Sequence, residues 1–354
     1  MKATIYFGFL CLITTSVWSQ QSRFYPADDI RLAYMGRIDF KNPQLPRFWN
    51  PATAVQIRFN GTWCDVLVRD QELWGKNHNY LSVQIDGGTP HRIQTTAAHN
   101  ILRIADSLAP GTHTLLLAKS TEANIGYIEL EGFRCDSLLA APELPLRKIE
   151  CYGNSITCGA SADLSGIPCG KGVWQDQHNA FESYGRITAS NLNAQWMLSS
   201  VSGIGLMHSC CNLPVIMPQV YDKIEMRGDS VPWDFTRYQP DIVTICLGQN
   251  DGIQDEVQFV TNYVSFLTKI RAAYPKSRLL LLTSPMADTP LRNFLRSALQ
   301  KVIQQRKDAG DLLISGYVFE TSFNGGCDYH PSVTEHYEIA RLLTAEIRRL
   351  MKWK

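Results

Sequence analysis

Residues 241–247 carry the sequence Asp-Ile-Val-Thr-Ile-Cys-Leu, an almost unbroken apolar run that ends in Gly-Gln-Asn-Asp at 248–251. Such a run is typical of a strand buried on both faces, as strands are in a parallel sheet covered by helices. Just downstream, apolar residues between Asp255 and Tyr274 form one helical stripe, and a second buried strand follows at 278–283. Strands that alternate with helices in this way predict an α/β domain built on a parallel sheet.

The same alternation extends in both directions from residue 241. Upstream, strands are predicted at 148–152 and from Trp196, with a helix-like segment at 181–193 between them. Downstream, a helix is predicted at 291–306. Ser332 with Glu335 three residues later forms a capping box, which opens a last helix that runs to about residue 351. We therefore place a three-layer α/β/α domain at residues 147–354.

The sequence before residue 141 has a different period. Short runs that alternate apolar and polar residues occur at 54–59, 64–68, 81–85, 113–118 and 125–130, without a convincing helix. This spacing predicts an antiparallel β-sandwich of jelly-roll type over residues 23–141. Asn60-Gly61 predicts a hairpin between the first two of these strands. Asn60-Gly61-Thr62 is also a glycosylation sequon, but the turn is a sufficient explanation for it.

The first nineteen residues have the organisation of a secretory signal peptide. Lys2 supplies a positive charge, residues 5–13 are apolar, and small or polar residues lead to Ser19. The apolar stretch is too short to cross a bilayer, which argues against the alternative of a membrane anchor. We expect a secreted or periplasmic protein without a membrane span in its mature chain.

Composition excludes several classes of function. The chain has 34 Lys and Arg against 33 Asp and Glu, so no basic excess is present to bind nucleic acid. No spacing of His and Cys fits a zinc site, and no glycine-rich phosphate loop occurs, so we expect neither a metal nor a cofactor. His178, His208 and His336 are interpreted as surface or loop residues.

Of the ten cysteines, nine remain after cleavage near Ser19. An odd number predicts at least one free thiol, and Cys151 and Cys246 are expected in the core.

Four polar segments lie where a site is expected, beyond the carboxyl ends of the strands. They are Gly153-Asn154-Ser155, Ser202-Gly203, Gly248–Asp251, and the segment Cys327–Pro331 before the last helix. Ser155 could supply a nucleophile and His330 its base. The Gly203 N–H and the Asn250 amide could stabilise an oxyanion. The plainer interpretations are a helix cap at Ser155, a tight turn at Gly203 and an Asx turn at Asn250.

Taken in order, these segments resemble the sequence blocks of the SGNH (GDSL-type) hydrolases over residues 147–354. The chain is more closely similar to family 2 of the carbohydrate esterases, which also places a β-sandwich before the hydrolase domain. The matching segments are Tyr184-Gly185, Ser202–Gly205, Trp233–Phe235, Pro240-Asp241 and Cys327–Pro331. The resemblance implies a secreted serine esterase that removes acetyl groups from plant polysaccharides of the xylan or mannan type.

The resemblance also implies roles for individual residues. Ser155 would be the nucleophile and His330 the general base, with the oxyanion held by the Ser155 and Gly203 N–H groups and the Asn250 amide. The superfamily places an Asp three residues before the His, where this chain has Cys327. We therefore expect a Ser155–His330 dyad whose His is oriented by a backbone carbonyl, with that of Cys327 as the candidate. The alternative is that the Asp328 carboxylate, two residues before the His, orients it.

The substrate is less constrained by the sequence. Tyr329 and Trp174 are candidate sugar contacts, because aromatic rings can stack on sugar rings, whereas Trp233 is expected to pack beneath a loop. The expected partner is an acetylated polysaccharide or oligosaccharide. A lipase, arylesterase or thioesterase on the same fold is one alternative. A catalytically inert glycan-binding protein is another.

Overall fold

The computed structural model describes residues 22–227 and 231–354; the predicted signal peptide lies outside them. The first part of the chain forms two antiparallel sheets of six strands each. The first sheet contains β1 (Arg23–Pro26), β3 (Ile38–Asp39), β4 (Arg47–Phe48), β6 (Cys64–Asp70), β9 (His99–Ala105) and β11 (Ile128–Cys135). The second contains β2 (Ala33–Met35), β5 (Ala54–Asn60), β7 (Tyr80–Ile85), β8 (His91–Gln94), β10 (Thr112–Lys119) and β12 (Ser137–Leu139).

The two sheets bury their inner faces against each other around a core of aliphatic and aromatic side chains. From Val55 to Phe59 of β5 the buried and half-buried residues alternate, as the period of 2 requires. The strand predicted at 125–130 begins only at Ile128, because Ala123–Ile125 forms a 3₁₀ turn before it. The shorter strands were not predicted, since two or three residues are too few to show an alternation.

The predicted hairpin at Asn60-Gly61 is wrong, although a turn is present there. β5 pairs with β2, β10 and β12, while β6 pairs with β9 and β11, so this turn carries the chain from one sheet to the other. Both strands have an inner apolar face, and facing sheets bury these faces better than a paired ribbon would. Gly61 has φ +144°, and a Cβ there would lie 2.5 Å from a carboxylate oxygen of Asp136.

The second part of the chain is built on a parallel sheet of five strands in the order β14-β13-β15-β16-β17. They are β13 (Arg147–Gly153), β14 (Ala194–Ser200), β15 (Ile242–Ile245), β16 (Arg278–Leu282) and β17 (Ile314–Tyr317). All four residues of β15 are buried, as the apolar run predicts. This strand order places the topological switch between β13 and β15, where open α/β sheets carry their sites.

Helices cover both faces of this sheet. They are α1 (Ser155–Cys158), α2 (Tyr184–Asn191), α3 (Met217–Val220), α4 (Glu256–Ala273), α5 (Thr289–Asp308) and α6 (Val333–Met351). α2 and α6 pack together on one face, and α4 and α5 on the other. α6 begins with the predicted capping box at Ser332 and Glu335. An N-terminal sandwich followed by a three-layer α/β/α domain confirms the predicted fold class. Within the described ranges, no helix has both the length and the apolar character needed to cross a bilayer.

The sandwich and the α/β domain share a buried interface. Ala52 belongs to the sandwich but packs in the core beside Trp196 of β14, whose indole N–H donates to the Ala52 carbonyl at 2.8 Å. Arg37 is fully buried and donates to Glu150 Oε1 and to the Tyr152 hydroxyl of β13, at 2.6 and 2.5 Å. Since both the apolar core and a buried ion pair cross the boundary, the two parts form one packed unit.

Candidate active site

Ser155 is placed by the abrupt transition from β13 into α1. The Asn154 side chain caps this short helix by accepting from the Ile156 N–H at 3.2 Å. The cap is therefore Asn154, and the Ser155 side chain is left for another role. Gly153 permits the close turn, because a Cβ there would lie 2.0 Å from the Thr157 hydroxyl.

His330 meets Ser155 across the end of the sheet. Its Nε2 lies 2.8 Å from Ser155 Oγ, and its Nδ1 lies 3.0 Å from the main-chain carbonyl of Asp328. A carbonyl can only accept a hydrogen bond, so Nδ1 carries the proton and Nε2 is left to accept from the serine hydroxyl. Burial lowers the pKa of His330, and the bond to the Asp328 carbonyl only partly opposes this. The neutral imidazole that a general base requires is thereby favoured near neutral pH.

The carbonyl that holds the His330 ring belongs to Asp328 and not to Cys327. The Cys327 carbonyl instead accepts from the main-chain N–H of His330 at 3.0 Å. Asp328 and Tyr329 both adopt left-handed backbone conformations, with φ +51° and +58°. This turn directs the Asp328 carbonyl toward the ring and leaves the Asp328 carboxylate exposed.

Cys327, which stands where the superfamily has an acid, forms a disulfide with Cys169. The bond ties the loop that carries His330 to the segment that follows α1. A second disulfide joins the neighbours Cys210 and Cys211. The remaining cysteines of the described ranges are free and buried, namely Cys64, Cys135, Cys151, Cys158 and Cys246.

Gly203 and Asn250 lie beyond β14 and β15 and line the same cavity as Ser155. Gly203 has φ +84°, a conformation that glycine adopts readily, and its carbonyl accepts from the Cys210 N–H at 2.8 Å. The Asn250 amide donates one hydrogen to the Ile204 carbonyl at 2.8 Å. An amide has two such hydrogens, so one is left for a ligand.

Asp251 has a structural role in the same region. Its carboxylate accepts the main-chain N–H groups of Leu206, Met207 and His208, at 2.9, 2.6 and 3.0 Å. Together with Asn250 it fixes the loop that follows Gly203.

A cavity of about 820 Å³ opens over Ser155 and His330 and is lined by residues from both parts of the chain. Trp174 lines it, as the sequence predicts, and so does Trp74 of the sandwich, whose side chain is 76% exposed. Tyr329 is exposed but lies outside this lining. Trp233 is buried at the interface beside Arg37, as expected for a packing residue.

Several residues near this cavity were missed by reasoning from the sequence. Trp74, Glu122 and Asn124 belong to the sandwich, and nothing in their local sequence connects them with strand ends far along the chain. The prediction that His178, His208 and His336 are surface or loop residues is wrong for His336, which is fully buried within α6. His208 is exposed, and His178 lies in a loop, although it is fully buried. None of the three joins a cluster of three or more His, Cys, Asp or Glu residues able to hold a metal, within the described residues.

A serine hydroxyl at the switch of a parallel sheet, hydrogen-bonded to a histidine before the last helix, is the arrangement of a serine hydrolase. In agreement, residues 151–318 match the model of the GDSL-like Lipase/Acylhydrolase family. Residues 34–142 match the model named Carbohydrate esterase 2 N-terminal. The solved structure of a family two carbohydrate esterase from Clostridium thermocellum, in complex with cellohexaose, is 31% identical. It superposes with a TM-score of 0.81, over 91% of this chain and 100% of that one. The chain therefore belongs to family 2 of the carbohydrate esterases.

Two curated relatives extend the comparison. Cellulase/esterase CelE of Acetivibrio thermocellus is 32% identical over 95% of this chain, but the chain spans only 41% of the length of that protein. Acetylxylan esterase / glucomannan deacetylase of Cellvibrio japonicus is 28% identical over 98% of this chain and 96% of its own.

Proposed function

We propose that this protein is an exported carbohydrate O-acetyl esterase that works by acyl transfer through Ser155 and His330. The observation that carries the proposal is the 2.8 Å hydrogen bond from Ser155 Oγ to His330 Nε2, at the floor of the cavity. Family membership gives the class of reaction, and the name of the Cellvibrio relative gives acetylated xylan and glucomannan as the substrates to test first.

The reaction begins when Ser155 Oγ attacks the acetyl carbonyl carbon and His330 Nε2 takes the hydroxyl proton. The carbonyl π electrons move to its oxygen, which becomes the oxyanion. The N–H groups of Ser155 and Gly203 and the free amide hydrogen of Asn250 stabilise that charge. The C–O bond to the sugar then breaks, and the departing sugar oxygen receives the proton from His330 Nε2.

Deacylation repeats these steps with water. His330 Nε2 takes a proton from the water as its oxygen attacks the acetyl group on Ser155. The second tetrahedral intermediate uses the same three donors. Its collapse releases acetic acid, which ionises to acetate in solution, and His330 Nε2 returns its proton to Ser155 Oγ. The Asp328 carbonyl holds Nδ1–H throughout, so the ring stays oriented between the two half-reactions.

Substrate binding in this account uses the aromatic walls of the cavity. Trp74 and Trp174 present large exposed rings on which a sugar can stack. Trp174 packs edge-on against His178, with ring centroids 4.3 Å apart, so its position is set by the buried histidine beneath it. Tyr329, which lies outside the lining, is assigned no contact with the reacting sugar.

The discriminating experiment compares acetate release from acetylated xylan and acetylated glucomannan with hydrolysis of 4-nitrophenyl esters of increasing chain length. The proposal predicts release from at least one glycan, and loss of activity as the acyl chain lengthens. Preference for long acyl chains would point to a lipase. A Ser155→Ala variant that remains as active as the unmodified protein would exclude the mechanism.

Export is a separate part of the proposal and rests on residues 1–19 alone. When the full chain is expressed in a bacterium, N-terminal sequencing of exported protein should find cleavage near Ser19. Uncleaved protein retained in the cytoplasm would contradict it.

A further inference from the structure

A buried polar segment of the sandwich reaches the back of the catalytic site. It comprises residues 119–122, which begin at the last residue of β10, and every one of them is fully buried. The Lys119 ammonium donates to the carbonyls of Thr121 and Glu122 at 3.0 and 2.8 Å. Burial lowers the pKa of Lys119 to about 7, an effect that the neighbouring Glu122 opposes. The sandwich thus places a buried carboxylate at the interface, beside a buried amine.

The Glu122 carboxylate contacts three parts of the α/β domain. Its Oε2 accepts the main-chain N–H of Ser202 at 2.6 Å. The same oxygen lies 3.6 Å from the thiol of Cys158, the last residue of the helix that Ser155 begins. Its Oε1 lies 3.8 Å from Nε2 of His178, the residue beneath Trp174. The Glu122 side chain therefore contacts the residue before Gly203, the helix that begins at Ser155, and the histidine that packs against Trp174.

The peptide unit that carries the Gly203 N–H is held by a residue just after this segment. Asn124 donates its side-chain amide to the Ser202 carbonyl at 3.4 Å. A trans peptide is planar, with its C=O and N–H pointing in opposite directions, so holding the Ser202 carbonyl also sets the direction of the Gly203 N–H. Glu122 holds the N–H of Ser202 and Asn124 holds its C=O. Residues of the sandwich therefore hold both the N–H and the C=O of Ser202, the residue before Gly203, by hydrogen bonds.

These two hydrogen bonds matter because the backbone at a glycine rotates easily. At φ +84° Gly203 has no Cβ to restrict it, and rotation of the preceding peptide would turn its N–H away. Oxyanion donors accelerate a reaction only when they are already oriented toward the charge that develops.

We propose that Glu122 and Asn124 of the sandwich are positioning residues for the oxyanion donor at Gly203. The inference rests on the proposed esterase function and deepens it, since it gives the sandwich a part in catalysis. Both residues act on the Gly203 N–H through Ser202. Glu122 is buried outside the cavity lining, whereas Asn124 also lines the cavity.

The experiment measures kcat and KM on 4-nitrophenyl acetate, melting temperature, and inhibition by a small alkyl boronic acid, which forms a tetrahedral adduct on an active serine. Glu122→Gln keeps an oxygen for the Ser202 N–H, whereas Glu122→Ala removes it. For Glu122→Ala we expect kcat to fall by about 10²-fold, the lower range for losing one oxyanion donor, with KM nearly unchanged. Boronate binding should weaken in parallel. Glu122→Gln and Asn124→Ala should lose less, about three- to tenfold.

Asp70→Asn is the matched control. Asp70 is also a buried carboxylate of the sandwich and accepts a main-chain N–H, that of Asn79 at 2.9 Å, but its hydrogen bonds stay within the sandwich. It should lower the melting temperature and leave kcat and boronate binding unchanged.

Unchanged kcat and boronate affinity in folded Glu122→Ala overturn the proposal. If that variant does not fold, the same result in both Glu122→Gln and Asn124→Ala overturns it. A loss of kcat without weaker boronate binding also overturns it, because the oxyanion site would then be intact. Failure of the proposed function is distinguishable, since the unmodified protein would itself lack serine-dependent esterase activity.

Discussion

Replacing Asp328 by asparagine separates the two ways in which His330 could be oriented. The residue offers both a carboxylate and a main-chain carbonyl, and the structure bonds His330 Nδ1 to the carbonyl, at 3.0 Å. Asparagine leaves that carbonyl in place and removes only the charge. It is also the substitution that the backbone accepts most easily, because asparagine tolerates the left-handed conformation that Asp328 adopts at φ +51°.

The expected loss follows from what is removed. An exposed charge near the ring contributes at most about 1 kcal/mol, which is about a fivefold change in rate. If the Asp328 carboxylate oriented His330 and stabilised its positive charge, as the aspartate of a serine protease triad does, its loss would instead cost about 10⁴ in kcat. The two outcomes differ by more than three orders of magnitude.

The assay is kcat on 4-nitrophenyl acetate for the unmodified protein, Asp328→Asn and His330→Ala. His330→Ala removes the base itself and sets the scale of a full loss. A decrease of under about tenfold for Asp328→Asn is the predicted result. A decrease that approaches that of His330→Ala would refute the dyad and give the carboxylate a direct role.

Three further predictions concern stability and pH. Removing Arg37 leaves Glu150 buried without its cation, so Arg37→Met should cost about 3 to 5 kcal/mol. For a chain of 354 residues that melts as one unit, calorimetry should show a decrease of about 4 to 7 °C. The control is Arg341→Met, which removes an exposed arginine that also pairs with a glutamate. An equal decrease in melting temperature for both variants would contradict the burial of the Arg37–Glu150 pair. Burial lowers the pKa of His336 to about 3, whereas an unfolded histidine titrates near pH 6.5. The free energy of unfolding should therefore be highest above about pH 6.5 and decrease as the pH falls toward 3. The expected decrease at pH 5 is about 2 kcal/mol. His336→Asn should flatten that dependence in denaturant titrations, and an unchanged slope would argue against it. Because the pKa of His330 is lowered, the decrease of kcat/KM at acid pH should have its midpoint below pH 6.5. A midpoint above that value would contradict the burial of His330.

The sequence was sufficient to predict the α/β domain because its signals are local. The apolar run of β15 indicates burial on both faces, and the polar residues after it must lie at the edge of a parallel sheet. Ser155, Gly203, Asn250 and His330 were all selected by position at strand ends, and all four line one cavity.

What could not be predicted depends on contacts between distant segments. Asn60-Gly61 indicates a turn correctly, but which sheet the next strand joins is decided by packing of the two apolar faces. The sequence offered the Cys327 carbonyl or the Asp328 carboxylate to orient His330. The structure uses the Asp328 carbonyl instead, because of the left-handed turn at residues 328–329. Glu122 carries no local signal at all, because its partner Ser202 lies 80 residues away along the chain.

The central claim is that Ser155 is the nucleophile that His330 activates, and labelling with a fluorophosphonate tests it most directly. The reagent modifies activated serines, and peptide mass spectrometry locates the modified residue. The account predicts one label per chain, on Ser155, with esterase activity lost in proportion to labelling, and no label in His330→Ala over the same time. Label on another residue, or full activity in a chain fully labelled at Ser155, would contradict it.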